Sequence, residues 1–141
     1  MRFWDSSALA AYFIPEAATK EVQRWFHADP EVTVWVLTRV ELMSAIARRG
    51  RERPESIAEL QRIQSNVISA SGRWFTLAKA DQVRLIAERL VMTHPLRAAD
   101  ALQLGAAIVA ADGDPSSLEF VTLDRRLADA ALREGFPILS A

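Results

Sequence analysis

Apolar residues along this chain fall into two alternating periods. Short runs with aromatic and β-branched bias predict strands near Arg2–Trp4, Val32–Val36, Arg73–Thr76, Glu119–Leu123 and Pro137–Leu139. Between them, apolar residues at three- and four-residue spacing predict helices over Ser7–Phe13, Ala17–Ala28, Thr38–Arg49, Pro54–Ala70, Ala78–Met92, Leu96–Ala111 and Arg125–Glu134. The breakers agree with this division, because Pro15, Pro30, Gly50, Pro54, Gly72, Pro95, Gly113, Pro115, Gly135 and Pro137 all fall at or near proposed junctions. Strands separated by helices require parallel crossovers. The pattern therefore predicts an α/β fold, a three-layer α/β/α sandwich with a central parallel sheet of about five strands. No repeat, low-complexity tract or linker divides it, so residues 1–141 are read as a single domain.

Composition narrows the chemistry. The 141 residues include no cysteine and two histidines, His27 and His94. That excludes a disulfide scaffold, a thiol nucleophile and a cysteine-ligated zinc site, and leaves any metal to oxygen ligands. The amino-terminal MRFWDSSALAAYF lacks the pattern of a secretory signal. The longest apolar stretch, Ala98 to Ala111, is interrupted by Asp100, Gln103 and Gly105 and is too short to span a bilayer. A soluble, cytoplasmic protein with no membrane partner is expected. The formal charge of −1 gives no global attraction to nucleic acid, although 15 of the 17 basic residues are arginine.

In a parallel sandwich, ligands collect beyond the carboxyl ends of the strands. Asp5 ends the first predicted strand, Glu41 lies in the first turn of the helix after the second, Asp124 follows the fourth, and Asp100 lies a turn into the helix from Leu96. Four carboxylates distant in sequence are thus expected at one edge. Each also has a structural reading. Asp5 and Asp124 suit helix N-caps. Thr38-Arg39-Val40-Glu41 fits a capping box, the favoured reading of Glu41 taken alone. Asp100, the one acid in an apolar helix, needs a partner, and Arg97 stands at helical spacing from it. Arg97 and Arg125, within a turn of these acids, are candidate phosphate contacts. Arg48, Arg49, Arg51 and Arg53 suit a solvated helix terminus better, and Trp4, Trp25, Trp35 and Trp74 suit core packing better than base stacking. Neither a P-loop nor a dinucleotide-binding glycine motif occurs among the five glycines. A phosphoaspartyl reaction stays open for Asp5 at a strand end, although the two lysines, Lys20 and Lys79, do not follow predicted strand ends.

Taken in order, the strings WDSSAL, TRVELMSA, HPLRAADALQL and FVTLDRRLADAA resemble the PIN-domain nucleases, most closely the VapC-like ribonuclease toxins of type II toxin–antitoxin pairs. Each string is weak alone; together they span nearly the whole chain. The resemblance implies a PIN-like fold and places Asp5, Glu41, Asp100 and Asp124 on the family's acidic, metal-binding and catalytic positions. Ser6 and Thr122 fall on the small hydroxyl positions beside them. It further implies Mg²⁺ or Mn²⁺ as cofactor, RNA as substrate, inhibition by a cognate antitoxin and a homodimer. Carboxylate oxygens suit such hard cations, which activate water at phosphodiesters. The alternative is a PIN-like interaction module whose acids are structural and which binds a protein partner without cleaving RNA.

Overall fold

The computed structural model describes residues 1–53 and 57–141. Five strands form one parallel sheet: β1 (Arg2–Trp4), β2 (Val32–Trp35), β3 (Phe75–Leu77), β4 (Glu119–Val121) and β5 (Ile138–Leu139). Their spatial order is β3-β2-β1-β4-β5. The chain builds outward from β1 through β2 to β3, then returns to lay β4 against the other side of β1. The order therefore reverses between β1 and β4, and it is at such a switch point that open parallel sheets leave a crevice.

Among the described residues there are seven α-helices, α1 (Ser6–Phe13), α2 (Thr19–Ala28), α3 (Thr38–Glu52), α4 (Ile57–Ser71), α5 (Ala80–Thr93), α6 (Ala98–Ala110) and α7 (Arg125–Arg133), and a short 3-10 turn at Pro115–Ser117. Successive strand residues point to opposite faces, so Phe3 and Trp4 seed two separate cores. One face packs Phe3, Trp35, Leu77 and Phe120 against α5, α6 and α7 through Val83, Leu90, Leu104 and Leu127. The other packs Trp4, Val32, Val34 and Val121 against α1 to α4 through Leu9, Val22, Leu42, Ile46 and Val67. Register aligns Phe3 with Phe120, whose rings stack at 5.5 Å and 13°. The result is the expected three-layer sandwich. Trp4 and Trp35 are core residues, as their strand positions predict. Among the described residues no helix is long and apolar enough to cross a membrane.

Element boundaries differ from the sequence reading for local reasons. Of the predicted helix Pro54–Ala70, residues 54–56 lie outside the described residues. β3 starts at Phe75, because Arg73 and Trp74 still donate their amides to Ala70 and Ser71 carbonyls of the preceding turn. Gly50, read as a breaker, lies inside α3. A Cβ there would meet Leu60 Cδ1 at 2.7 Å, so the glycine serves the close approach of α4, and the helix ends at Glu52 instead.

Gly105 does the same for α5 and α6. A Cβ would stand 3.1 Å from the Val83 carbonyl oxygen and 3.5 Å from the Ala87 nitrogen, both backbone atoms of α5. Glycine inside a helix ordinarily costs about 1 kcal/mol relative to alanine. Here overpacking against backbone outweighs that gain. Gly105→Ala is expected to lower the urea midpoint, and Gly105→Val to destabilise by about 3 kcal/mol. A midpoint for Gly105→Ala at or above the wild type's would show that α5 and α6 part without cost.

Candidate active site

The two strands at the switch point deliver the first two acids. Asp5 follows β1 and caps α1, accepting from the Ser7 amide at 3.2 Å. The carboxylate is only 4% exposed. One oxygen, Oδ2, also accepts from the Ser7 hydroxyl and from Thr122 Oγ1 at 2.9 Å. The other receives one long contact, from Ser6 Oγ at 3.5 Å. Burial raises the Asp5 pKa, and the hydrogen bonds from Ser7 and Thr122 oppose that rise. The same hydroxyls stitch β4 to β1: Ser7 Oγ accepts from the Leu123 amide at 2.9 Å, and Thr122 Oγ1 accepts from the Asp124 amide at 3.0 Å. Asp124 in turn caps α7, accepting from the Leu127 amide at 3.1 Å. Both aspartates are therefore caps, and both stand at the crevice.

At Glu41 the capping-box reading fails. No capping box forms: the residue before α3 is Leu37, and its helix start has no side-chain cap. Thr38 is buried and its hydroxyl instead receives Gln103 Nε2 at 3.1 Å. Glu41 then turns to the crevice, accepting from Gln103 Nε2 at 2.9 Å and Ser6 Oγ at 2.7 Å. A buried amide on α6 has displaced the local cap. Burial raises the Glu41 pKa, and the charges of Asp5 and Asp100 add to this, against the Ser6 and Gln103 hydrogen bonds.

Asp100, in the first turn of α6, is half-buried. Its pKa is raised by burial and then by the Asp124 charge; a backbone hydrogen bond from Arg97 and the charges of Arg126 and Arg97 oppose this. The Arg97 pairing expected from helical spacing is not an ion pair in the structure, and Arg97 acts on Asp100 through its amide and at longer range.

Glu41, Asp100 and Asp124 line one cavity of about 460 Å³, with Arg48, Arg97 and Arg126 on its walls. Ser6 and Ser7 form part of the lining, and Asp5 lies buried beneath them rather than on the wall. Arg125 does not line the cavity, whereas its neighbour Arg126 does. Adjacent residues on a helix do not share a face, which separates the two. Among the described residues, no three acidic or histidine side chains stand close enough to form a ready-made direct ligand set.

Three contributors escaped the sequence reading. Ser7 is the hydroxyl on which Asp5, Thr122 and Leu123 meet; it looked like helix-start composition. Gln103 joins α6 to Glu41, and its one signal was a polar residue breaking an apolar helix a turn after Asp100. Arg48 shares a face of α3 with Glu41 and Ser44, at helical spacing, and so belongs to the cavity rather than to a solvated terminus.

Comparison with known proteins agrees with the fold. A chain from a toxin–antitoxin complex of Klebsiella pneumoniae superposes with a TM-score of 0.69 at 15% identity, covering 99% of this chain and 96% of that one. The FitAB complex solved with a DNA fragment contains a chain that superposes with a TM-score of 0.67 at 16% identity, covering 99% and 94%. A Pyrobaculum aerophilum protein gives a TM-score of 0.62 at 22% identity, covering 97% and 87%. At these identities the superpositions establish shared fold. No curated protein matches the sequence. The sequence itself matches the PIN domain over residues 2–133, and with the reversed five-stranded sheet and the acids at its switch point, the chain belongs to the PIN domain family.

Proposed function

We propose that this protein is a metal-dependent endoribonuclease of the toxin type, cleaving RNA phosphodiesters at the acidic cavity and held in check by a cognate antitoxin. The observation that carries the reading is the meeting of Glu41, Asp100 and Asp124, from three separate elements, over the buried Asp5 and between three arginines. PIN domains are nucleases, and a similar fold occurs in a Klebsiella toxin–antitoxin complex. That likeness supports an antitoxin partner, which would offer an arginine or lysine to the carboxylates. The same reading assigns the protein a homodimeric state.

The residues fit Mg²⁺ or Mn²⁺. Every available donor is oxygen, the preference of hard cations. The charges of Asp124 on Asp100, and of Asp5 and Asp100 on Glu41, make the proton-free cluster costly without a cation. When bound, such an ion lowers the pKa of water and neutralises charge developing on the phosphate. Asp100 and Asp124 would hold it with Glu41, and one Asp5 oxygen remains largely free of hydrogen bonds to contribute. Ser6 and Gln103 fix the Glu41 carboxylate, and Ser7 and Thr122 fix that of Asp5. Arg97 and Arg126 offer donors for phosphate oxygens at the cavity wall, and Arg126 takes the place expected of Arg125. Among the described residues no three acids form a closed ligand set, which favours a second reading, an interaction module without nuclease activity, and metal-dependent cleavage separates the two.

Incubated with a pool of structured RNAs, the partner-free protein is expected to generate new ends with Mg²⁺ or Mn²⁺ and none with EDTA. Asp100→Asn should reduce the rate by about two orders of magnitude or more without unfolding the protein. Gln103→Leu should weaken ion affinity by about tenfold by releasing Glu41. Undiminished cleavage in EDTA would overturn the reading.

Stability offers a separate check. Asp100 holds its proton more tightly in the folded state than unfolded, so its contribution is full at low pH and is lost as pH rises through its raised folded-state pKa. Glu134 and Asp29 shift the opposite way, under Arg89 and the amino terminus respectively. The informative quantity is therefore the difference between wild type and Asp100→Asn. In EDTA, the variant should melt a few degrees above wild type near pH 7.5, and this advantage should shrink towards pH 4. Mg²⁺ at ten times its dissociation constant should return about 1.4 kcal/mol to the wild type and less to the variant. A variant less stable than wild type at pH 7.5, with an unchanged Mg²⁺ response, would contradict the account.

A further inference from the structure

The acidic cavity does not stop at Arg48. Ala10 of α1 and Ala45 and Arg48 of α3 line it, and the same three residues line a second cavity of about 150 Å³ between those helices. The two spaces are thus adjoining, and they meet where two alanines face the passage. Glu16 and Glu52 stand among the residues of the second cavity. Of the three arginines in the last turns of α3, Arg48 alone lines both spaces; Arg49 lines the second and donates to the Pro15 carbonyl at 3.4 Å, and Arg51 is exposed outside them. Arg48 makes no ion pair among the described residues.

Helical rise sets the scale. Arg48 follows Glu41 by two turns, about 10 Å along α3, and Glu52 lies about 6 Å beyond Arg48. A phosphate leaving the acidic cavity along this groove meets the Arg48 guanidinium first, and beyond it Arg49 lines the second cavity together with Glu16 and Glu52. Cationic side chains hold a polyanionic backbone, and carboxylates repel it. Arg48 is therefore a favourable point for a phosphate where the two spaces adjoin.

Resting on the nuclease reading above, we infer that the groove between α1 and α3 is the subsite for the RNA segment flanking the bond that is cut. Arg48 is its positioning residue, holding one flanking phosphate. Arg48 acts on the substrate outside the carboxylate cluster. Its loss therefore weakens the grip on RNA while leaving the ion site and the chemical step in place.

Binding of fluorescently labelled single-stranded oligoribonucleotides, followed by anisotropy in EDTA over a range of NaCl, tests this with wild type, Arg48→Gln and Arg51→Gln. Arg48 and Arg51 are both exposed, so neither substitution threatens the core. Arg48→Gln should weaken binding about tenfold at low salt and flatten the dependence of log Kd on log salt by about 0.7, the share of one phosphate contact on a single strand. Arg51→Gln should leave both unchanged. With Mn²⁺ present, Arg48→Gln should raise KM about tenfold and keep kcat within about twofold. Equal slopes for wild type and Arg48→Gln, or an equal loss in Arg51→Gln, would overturn the subsite while leaving a cleaving wild type as a nuclease. A wild type that neither binds nor cleaves RNA would overturn the nuclease reading and the subsite with it.

Discussion

The structure depends on keeping one carboxylate out of water. Asp5 sits at the end of the central strand, where the order of the sheet reverses, and burial there carries a desolvation penalty that must be met by hydrogen bonds. Ser7 and Thr122 meet it, and because Thr122 follows β4, that same contact locks the ends of β1 and β4 together. The Leu123 and Asp124 amides close onto the two hydroxyls. A requirement of local electrostatics thus becomes the join between the two halves of the sheet.

Around this join, the remaining acids arrive on elements that the two apolar cores hold in place. α3 brings Glu41, α6 brings Asp100, and the turn into α7 brings Asp124. Gln103 ties α6 to α3 through Glu41 and Thr38, so the polar site and the packing of α6 against the sheet share a residue. Burial first, and then the charges of neighbouring acids, disfavour the ionised forms of Glu41 and Asp100, and the charges of Arg126 and Arg97 oppose this at Asp100. Such an arrangement holds the Glu41 and Asp100 pKa values above the ordinary carboxylate range and sets Arg48, Arg97 and Arg126 on the walls around them.

Much of this was legible in the sequence, because the apolar periods, strand ends and four acids are local signals. β1 was readable from Arg2–Trp4 and its terminating aspartate, and the parallel order followed from the helices between strands. What the sequence could not show lay in contacts across the fold. Thr38 and Glu41 have the spacing of a capping box, and nothing nearby reveals that Gln103, far along the chain, captures both. Gly50 and Gly105 read as breakers or interruptions until Leu60 and the backbone of α5 are seen against them. Arg125 and Arg126 differ by one position in sequence and by a helix face in space, a choice fixed only by how α7 docks.

The central claim is that these acids exist to hold a divalent ion. Crystals grown with Mn²⁺ and measured near the manganese absorption edge test it directly. The account predicts an anomalous peak inside the cavity bounded by Glu41, Asp100 and Asp124, above Asp5, and its loss in Asp100→Asn. A cavity without a peak in saturating Mn²⁺, or a peak unchanged by that substitution, would contradict it.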